Sequence, residues 1–210
     1  ENIIDNAKSV RSVLTEQRFL AGTDHPFITK LCHSFHSHER LFMIMEYCPG
    51  GELWTLIKYQ PQERLNEEQV RFFASEVLIV LEYVHSKGYI YRDLKPENIL
   101  IHLDGHIRVA DFGLSKQADV LPEMKPVRRK NSLFIRKSKS MLDFKQGSVI
   151  KTDSLVGSVH YLAPEVLALG GSYNVMADWW SFGVLLYDMF YGGPPFQGRC
   201  NEEIIMKIVQ

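Results

Sequence analysis

The spacing of hydrophobic positions changes several times along the chain, and each change marks an element. Val10, Val13 and Leu14 recur at helical spacing among charged and polar neighbours, which predicts a helix over about residues 6–20. Thr23-Asp24-His25-Pro26 breaks it. Residues 28–35 and 41–47 read as two strands joined by the polar turn His36-Ser37-His38-Glu39-Arg40. After Pro49-Gly50-Gly51 a short helix is expected over about residues 52–59. Asn66 then opens the clearest helix, with Gln69 placed three residues on as in a capping box. Val70, Phe73, Ala74, Val77, Leu78, Leu81 and Val84 form its apolar stripe, and Lys87-Gly88 supplies the stop. Residues 99–102 and 107–109 flank Asp104-Gly105 and read as a hairpin. Residues 178–191 are apolar almost all round, the mark of a helix buried at a domain centre, and Gly192-Gly193-Pro194-Pro195 ends them. An amphipathic stretch over residues 202–209 begins a further helix. No repeat is visible. This order predicts an α+β chain: a small lobe holding a helix and two strands, a mainly helical larger lobe holding a hairpin, and a cleft between.

Composition bounds the picture without sharpening it. The 210 residues are 45% hydrophobic and 23% charged with a formal net charge of -1, ordinary globular values that argue against general nucleic-acid binding. Cys32, Cys48 and Cys200 are far apart and odd in number, so neither a disulfide framework nor a CxxC zinc pattern follows, and a reducing compartment is expected. His33, His36 and His38 alternate, but no fourth ligand accompanies them and they read as a solvated strand end and turn. The first residues carry charges in place of a signal-peptide apolar core. The longest charge-free apolar run, about residues 179–187, is short of the roughly 20 residues of a membrane span. The expectation is a soluble intracellular domain, cytoplasmic or nuclear, with no membrane span and no nucleic-acid partner.

Residues 117–151 stand apart. Nine Lys and Arg residues face three acids there, with four serines and few large apolar residues, which reads as a basic insertion. It contains Arg129-Lys130-Asn131-Ser132, and Ser132 is a candidate cis substrate, or the insertion a basic pseudosubstrate.

The candidate chemistry centres on Tyr91-Arg92-Asp93-Leu94-Lys95-Pro96-Glu97-Asn98-Ile99-Leu100, followed by Asp111-Phe112-Gly113 and then Ala163-Pro164-Glu165. These match, in order, the catalytic-loop, metal-binding and activation-segment signatures of protein kinases. Phosphoryl transfer needs a positioned nucleophile, metal ions on the phosphates and charge stabilisation, and little covalent help. Asp93 can accept a hydroxyl proton, Lys95 suits developing negative charge, and Asn98 and Asp111 offer the hard oxygens that magnesium takes.

On these phrases the chain resembles the eukaryotic protein kinases, and within them the AGC serine/threonine group. Tyr91 before Arg92-Asp93, the run from Leu41 to Tyr47 and Asp178-Trp179-Trp180-Ser181 carry the AGC resemblance. Asn6-Ala7-Lys8 and Leu185-Leu186-Tyr187-Asp188-Met189 look most like the ribosomal-protein kinase branch. The resemblance implies a bilobal kinase fold, a partial small lobe over residues 1–47 and a large lobe over residues 48–210. It implies ATP and Mg2+, with Asn98 and Asp111 as metal ligands, and Lys95 points to Ser/Thr acceptors. Glu16 would pair with the ATP-anchoring lysine. Met45 would be the gatekeeper, the backbones of Glu46 and Cys48 would read the adenine, and Leu100 would floor it. Leu20, Leu31, Tyr91 and Phe112 would stack as an apolar spine. Ser154 matches the activation-loop phosphosite, set by an upstream kinase, with Arg92 to receive the phosphate. Ser158 would hydrogen-bond toward Asp93 and Lys95. Glu52, Glu97 and Asp188 match carboxylates that select arginines near the target serine, a solvated surface charge being the alternative for each.

The kinase pattern also calls for a Gly-rich loop and a strand lysine, and neither stands in these residues. Two expectations follow: a piece of a competent kinase, or a truncated kinase that binds partners as a scaffold. Either way, residues 1–210 alone are expected to be poorly stable and to bind ATP weakly.

Overall fold

The strongest helix forms as its sequence predicts. In the computed structural model of the chain, which describes residues 7–38, 40–117, 158–167 and 174–210, α3 runs Glu67–Ser86. Asn66 Oδ1 accepts the Gln69 N–H at 2.9 Å and Gln69 Oε1 accepts the Asn66 N–H at 3.0 Å, closing the capping box. The apolar stripe differs in two places. Val80 is buried while Leu78 is 38% exposed, and two polar residues, Glu76 and His85, share the buried face.

Around α3 the elements follow in the order α1 (Ala7–Ala21), β1 (Leu31–His36), β2 (Leu41–Met45), α2 (Leu53–Lys58), α3, β3 (Tyr89–Ile90), β4 (Ile99–Ile101), β5 (Ile107–Val109), β6 (Lys116–Gln117), α4 (Pro164–Leu167), α5 (Val175–Tyr191) and α6 (Asn201–Val209). The strands pair antiparallel as β1–β2, β3–β6 and β4–β5. The β3–β6 pair was not expected, because two residues on each side leave no alternation to read.

Ile28, expected inside the first strand, instead bridges Val109 of β5 in parallel, and β1 begins three residues later. The reason is that Thr29 donates both its N–H (2.9 Å) and its hydroxyl (3.0 Å) to the Val109 carbonyl. That pair of bonds fastens the segment between α1 and β1 to the helical body. α5 starts three residues earlier than expected because the Asn174 side chain caps Met176 N–H at 2.7 Å. Nor is α5 buried all round: Tyr187, Phe190 and Tyr191 lie on an exposed side.

One core runs through the chain. Phe19 and Leu20 of α1, Ile28, Leu53 and Ile57 of α2, the α3 face, Tyr91, Ile99, Phe112, Leu185 and Met189 belong to a single buried cluster. A second gathers Leu162, Val166, Leu167 and Ala177 with Ile204, Ile205 and Ile208 of α6. Small β-containing and helical parts are thus joined by shared packing.

Replacing the capping residue tests the best-predicted element. Asn66→Ala removes the bond to Gln69 N–H, and we expect a loss of about 1 kcal/mol in chemical denaturation with little change in m-value.

Candidate active site

The loop after β3 is shaped by one buried carboxylate. Asp178, in the first turn of α5, is 0% exposed. Its Oδ2 accepts the Tyr91 N–H at 2.9 Å and meets His85 Nε2 at 2.7 Å, and its Oδ1 accepts the Arg92 N–H at 2.8 Å. Aiming two successive amides at one carboxylate forces the chain to turn, and Arg92 adopts a left-handed φ of 71°. Arg92 Nε donates to Leu114 O at 2.6 Å, and the buried Tyr91 donates its hydroxyl to Ala110 O at 2.6 Å. Burial raises the Tyr91 phenol well above its ordinary range, so it remains a donor.

Asp93 follows, 5% exposed. Lys95 Nζ lies 2.8 Å from its Oδ2, and Asn98 Nδ2 donates to the same oxygen at 2.8 Å and to the Asp93 carbonyl at 2.9 Å. The Lys95–Asn98 spacing is set by a 3-10 turn over Pro96–Asn98, in which the Asn98 N–H donates to Lys95 O at 3.1 Å. Proline fixes the first φ of that turn at no cost in hydrogen bonding. One Asp93 oxygen is thereby held by two donors, and among the described residues no hydrogen bond reaches the other.

The hairpin of β4 and β5 brings in Asp111. Ala110 N–H donates to Asn98 O at 2.9 Å, so the two expected metal ligands close the open end of the hairpin. Asp111 is exposed with a left-handed φ of 53°, and its Oδ1 accepts the Gly113 N–H at 3.2 Å. Phe112 is 0% exposed, stacked on Phe19 at 4.4 Å and packed against Tyr91 at 4.9 Å. Leu20 is buried beside these rings, but the stacked partner of Phe112 is Phe19, which sequence reasoning passed over. Glu16 of α1 reaches this turn. Burial first, and then the Asp111 charge, raise its carboxyl, while the Phe112 N–H opposes the rise.

The edge expected to read a nucleotide is sewn to the same hairpin. Glu46, just past Met45 at the end of β2, donates its N–H to Lys30 O at 2.9 Å and accepts the Lys30 N–H on Oε1 at 2.7 Å. Gly50 N–H donates to Ile101 O at 3.0 Å and Ile101 N–H to Gly51 O at 2.8 Å. A Cβ on Gly50 would sit 2.7 Å from Ile101, so only glycine permits this approach. Cys48 is buried, and Leu100 is half-buried on β4 alongside.

The expected substrate residues divide. Glu52 and Glu97 are exposed. Asp188 is 8% exposed and accepts the Tyr161 hydroxyl, so it is no solvated surface charge; burial raises its carboxyl and that bond opposes the rise. Ser158 sits at the start of the turn Val159–Tyr161, and its expected bond toward Asp93 and Lys95 does not form among the described residues, where Lys95 and Asn98 hold the carboxylate. Ser154 and residues 118–151 of the insertion, Ser132 among them, lie outside the described residues.

A family model described as the protein kinase domain matches residues 2–210. The chain belongs to the protein kinase family. It is 45% identical over 96% of its length to the serine/threonine-protein kinase nrc-2 of Neurospora crassa, covering 32% of that protein. It is 43% identical over 95% of its length to the serine/threonine-protein kinase ppk22 of Schizosaccharomyces pombe, covering 38% of it. To the serine/threonine-protein kinase WAG1 of Arabidopsis thaliana it is 39% identical over 97% of its length, covering 46%. The chain thus spans about a third to a half of these curated relatives. Within the kinase domain the anchor of the catalytic loop is Asp178. Its signal was present, an acid in an otherwise apolar helix, but sequence alone does not say what an acid faces.

Removing that anchor orphans two backbone N–H groups and a buried histidine. Asp178→Ala should cost about 3–5 kcal/mol in urea denaturation. His85→Gln, which leaves both amide bonds, should cost well under half of that.

Proposed function

We propose that this chain supplies the catalytic loop of a serine/threonine protein kinase that transfers the ATP γ-phosphate to hydroxyls of protein substrates. One observation carries the reading: Asp93 has one carboxylate oxygen fixed by Lys95 and Asn98, while among the described residues no hydrogen bond reaches the other. Such a carboxylate is oriented to accept the proton of an attacking hydroxyl. Lys95, 2.8 Å away, also supplies positive charge where the transferring group would carry negative charge.

The donor set fits magnesium. With Asn98 Nδ2 spent on Asp93, its amide oxygen is the atom that can ligate, and Asp111 presents an exposed carboxylate. Among the described residues no group of three or more His, Cys, Asp or Glu side chains could hold a metal alone, which suits an ion that takes its remaining ligands from phosphates and water. When bound, Mg2+ supplies charge neutralisation on the phosphates. The adenine falls to Met45, Glu46, Cys48 and Leu100 in this reading.

Exposed Glu52 and Glu97 favour basic residues near the target Ser or Thr, and Ser154 is the site for an upstream kinase. A cytoplasmic or nuclear setting suits three free cysteines. A scaffold role would use surfaces alone and would not call for the bonds that orient Asp93.

Asp93→Asn in the full-length protein should lower kcat on an Arg-rich serine peptide by about 10²- to 10⁴-fold with little change in thermal stability. Equal phosphate transfer by both proteins, measured with labelled ATP, would refute the enzyme reading.

A further inference from the structure

Asn98 stands one residue before β4 and Asp111 two residues after β5, so the separation of the two ligands depends on the register of a short hairpin. That register places Ile99 opposite Val109. Three residues per strand hold it weakly on their own. One side of β5 is fastened by the segment before β1: Val109 N–H donates to Phe27 O at 2.8 Å, and Thr29 bonds the Val109 carbonyl. At the other end of that same edge, the one turned away from β4, a single carboxylate reaches in from α3. Glu76 is 4% exposed; its Oε2 accepts the Ile107 N–H at 2.9 Å, and its Oε1 meets His106 Nδ1. The His106 ring lies between Phe27 (5.8 Å) and Phe72 (5.5 Å). Burying a carboxylate on an apolar helix face costs free energy that a leucine would avoid. Both oxygens of this one go to consecutive residues of the hairpin.

We propose that Glu76 and His106 are a positioning pair for the metal centre: the Glu76 carboxylate, steadied by His106, fixes β5 in register and thereby sets Asp111 against Asn98. The inference rests on the kinase reading. Neither side chain touches the reacting atoms.

The pair is also pH-dependent. Charged groups facing His106 are Glu76 from α3 and Asp104 and Arg108 from the hairpin; the segment before β1 contributes Phe27, with His25 edge-on to it at 5.9 Å. The Glu76 hydrogen bond, followed by its charge, raises the imidazole above its ordinary 6.5, Asp104 adds to the rise, and burial and Arg108 oppose it. A raised folded value means that the protonated pair contributes fully below about 6.5 and that its charge contribution is lost as pH rises through the folded value.

The test uses full-length protein, with Mn2+ binding followed by electron paramagnetic resonance in the presence of a non-hydrolysable ATP analogue. Amide hydrogen exchange at Ile107 is the second readout. His106→Ala and Glu76→Ala should each weaken Mn2+ binding about tenfold and speed exchange at Ile107. Glu76→Gln, which can still accept the Ile107 N–H, should keep Mn2+ affinity within about threefold of wild type while losing its fall as pH rises above about 6.5. Should Glu76→Ala fail to fold, the half-exposed His106→Ala decides alone. Wild-type Mn2+ affinity and Ile107 protection in His106→Ala would overturn the pairing, as would a pH dependence that Glu76→Gln retains. A wild-type protein that binds no Mn2+ with the nucleotide analogue would instead overturn the kinase reading beneath it.

Discussion

Buried charge is expensive, and the catalytic loop depends on one instance of it. The Asp178 carboxylate is fully withdrawn from water and takes three hydrogen bonds, two of them from successive amides of the loop. A carboxylate so satisfied is a rigid template, because any movement of the loop strands it in a low-dielectric core. The left-handed Arg92 is the local consequence, since a non-glycine residue holds such a φ only where its surroundings over-determine it. Tyr91 extends the constraint outward: its N–H is fixed by Asp178 and its hydroxyl fixes Ala110, next to Asp111. Asp93 and Asp111, the proposed base and metal ligand, are therefore both tied to one anchor.

The hairpin divides the same labour differently. Asn98 bonds inward to Asp93 through its side chain and outward to Ala110 through its carbonyl, so it belongs to both the loop and the hairpin. Thr29, Arg108 and the Gly50–Gly51 turn tie that hairpin to the strand region, with Arg108 Nε 3.4 Å from Glu46. A shift at the edge expected to read the adenine has a short mechanical route to the metal ligands.

Much of this was legible in the sequence where the cause is local. Asn66 and Gln69 announce their capping box, and Asp104-Gly105 announces its turn, because the interacting groups are two or three residues apart. The candidate site residues were picked out for a different reason, the order of their motifs; Asp93, Lys95 and Asn98 meet at one carboxylate, and Asp111 follows Ala110, which bonds Asn98. What escaped has distant partners. His85 and Asp178 are 93 residues apart, and Glu76 and Ile107 are 31 apart. Periodicity assigned Leu78 to the core and left Glu76 out of it, since a polar residue looks solvent-facing until its acceptor or donor is placed. For Asp188 the sequence left a substrate-selecting carboxylate and a solvated surface charge open; burial excludes the second, and the Tyr161 hydroxyl that it accepts lies 27 residues earlier. Ile28 went astray because a β-branched residue beside a strand fits either pairing, and only the Thr29 bonds to Val109 decide between them.

Those escaped residues share a function, which bears on how the site tolerates change. Asp178, Glu76 and Asp188 are each buried acids whose bonds run to backbone or a ring on another element. Among the described residues, Asp93 and Asp111 each have a carboxylate oxygen that no hydrogen bond reaches. Acids that only hold backbone could be exchanged for neutral acceptors of the same shape at modest cost, since geometry carries their role. Acids that meet a proton or a metal cannot be, since charge carries theirs. The division between held and offered carboxylates, read from which oxygens are already taken, separates the residues that shape this site from those that would act in it.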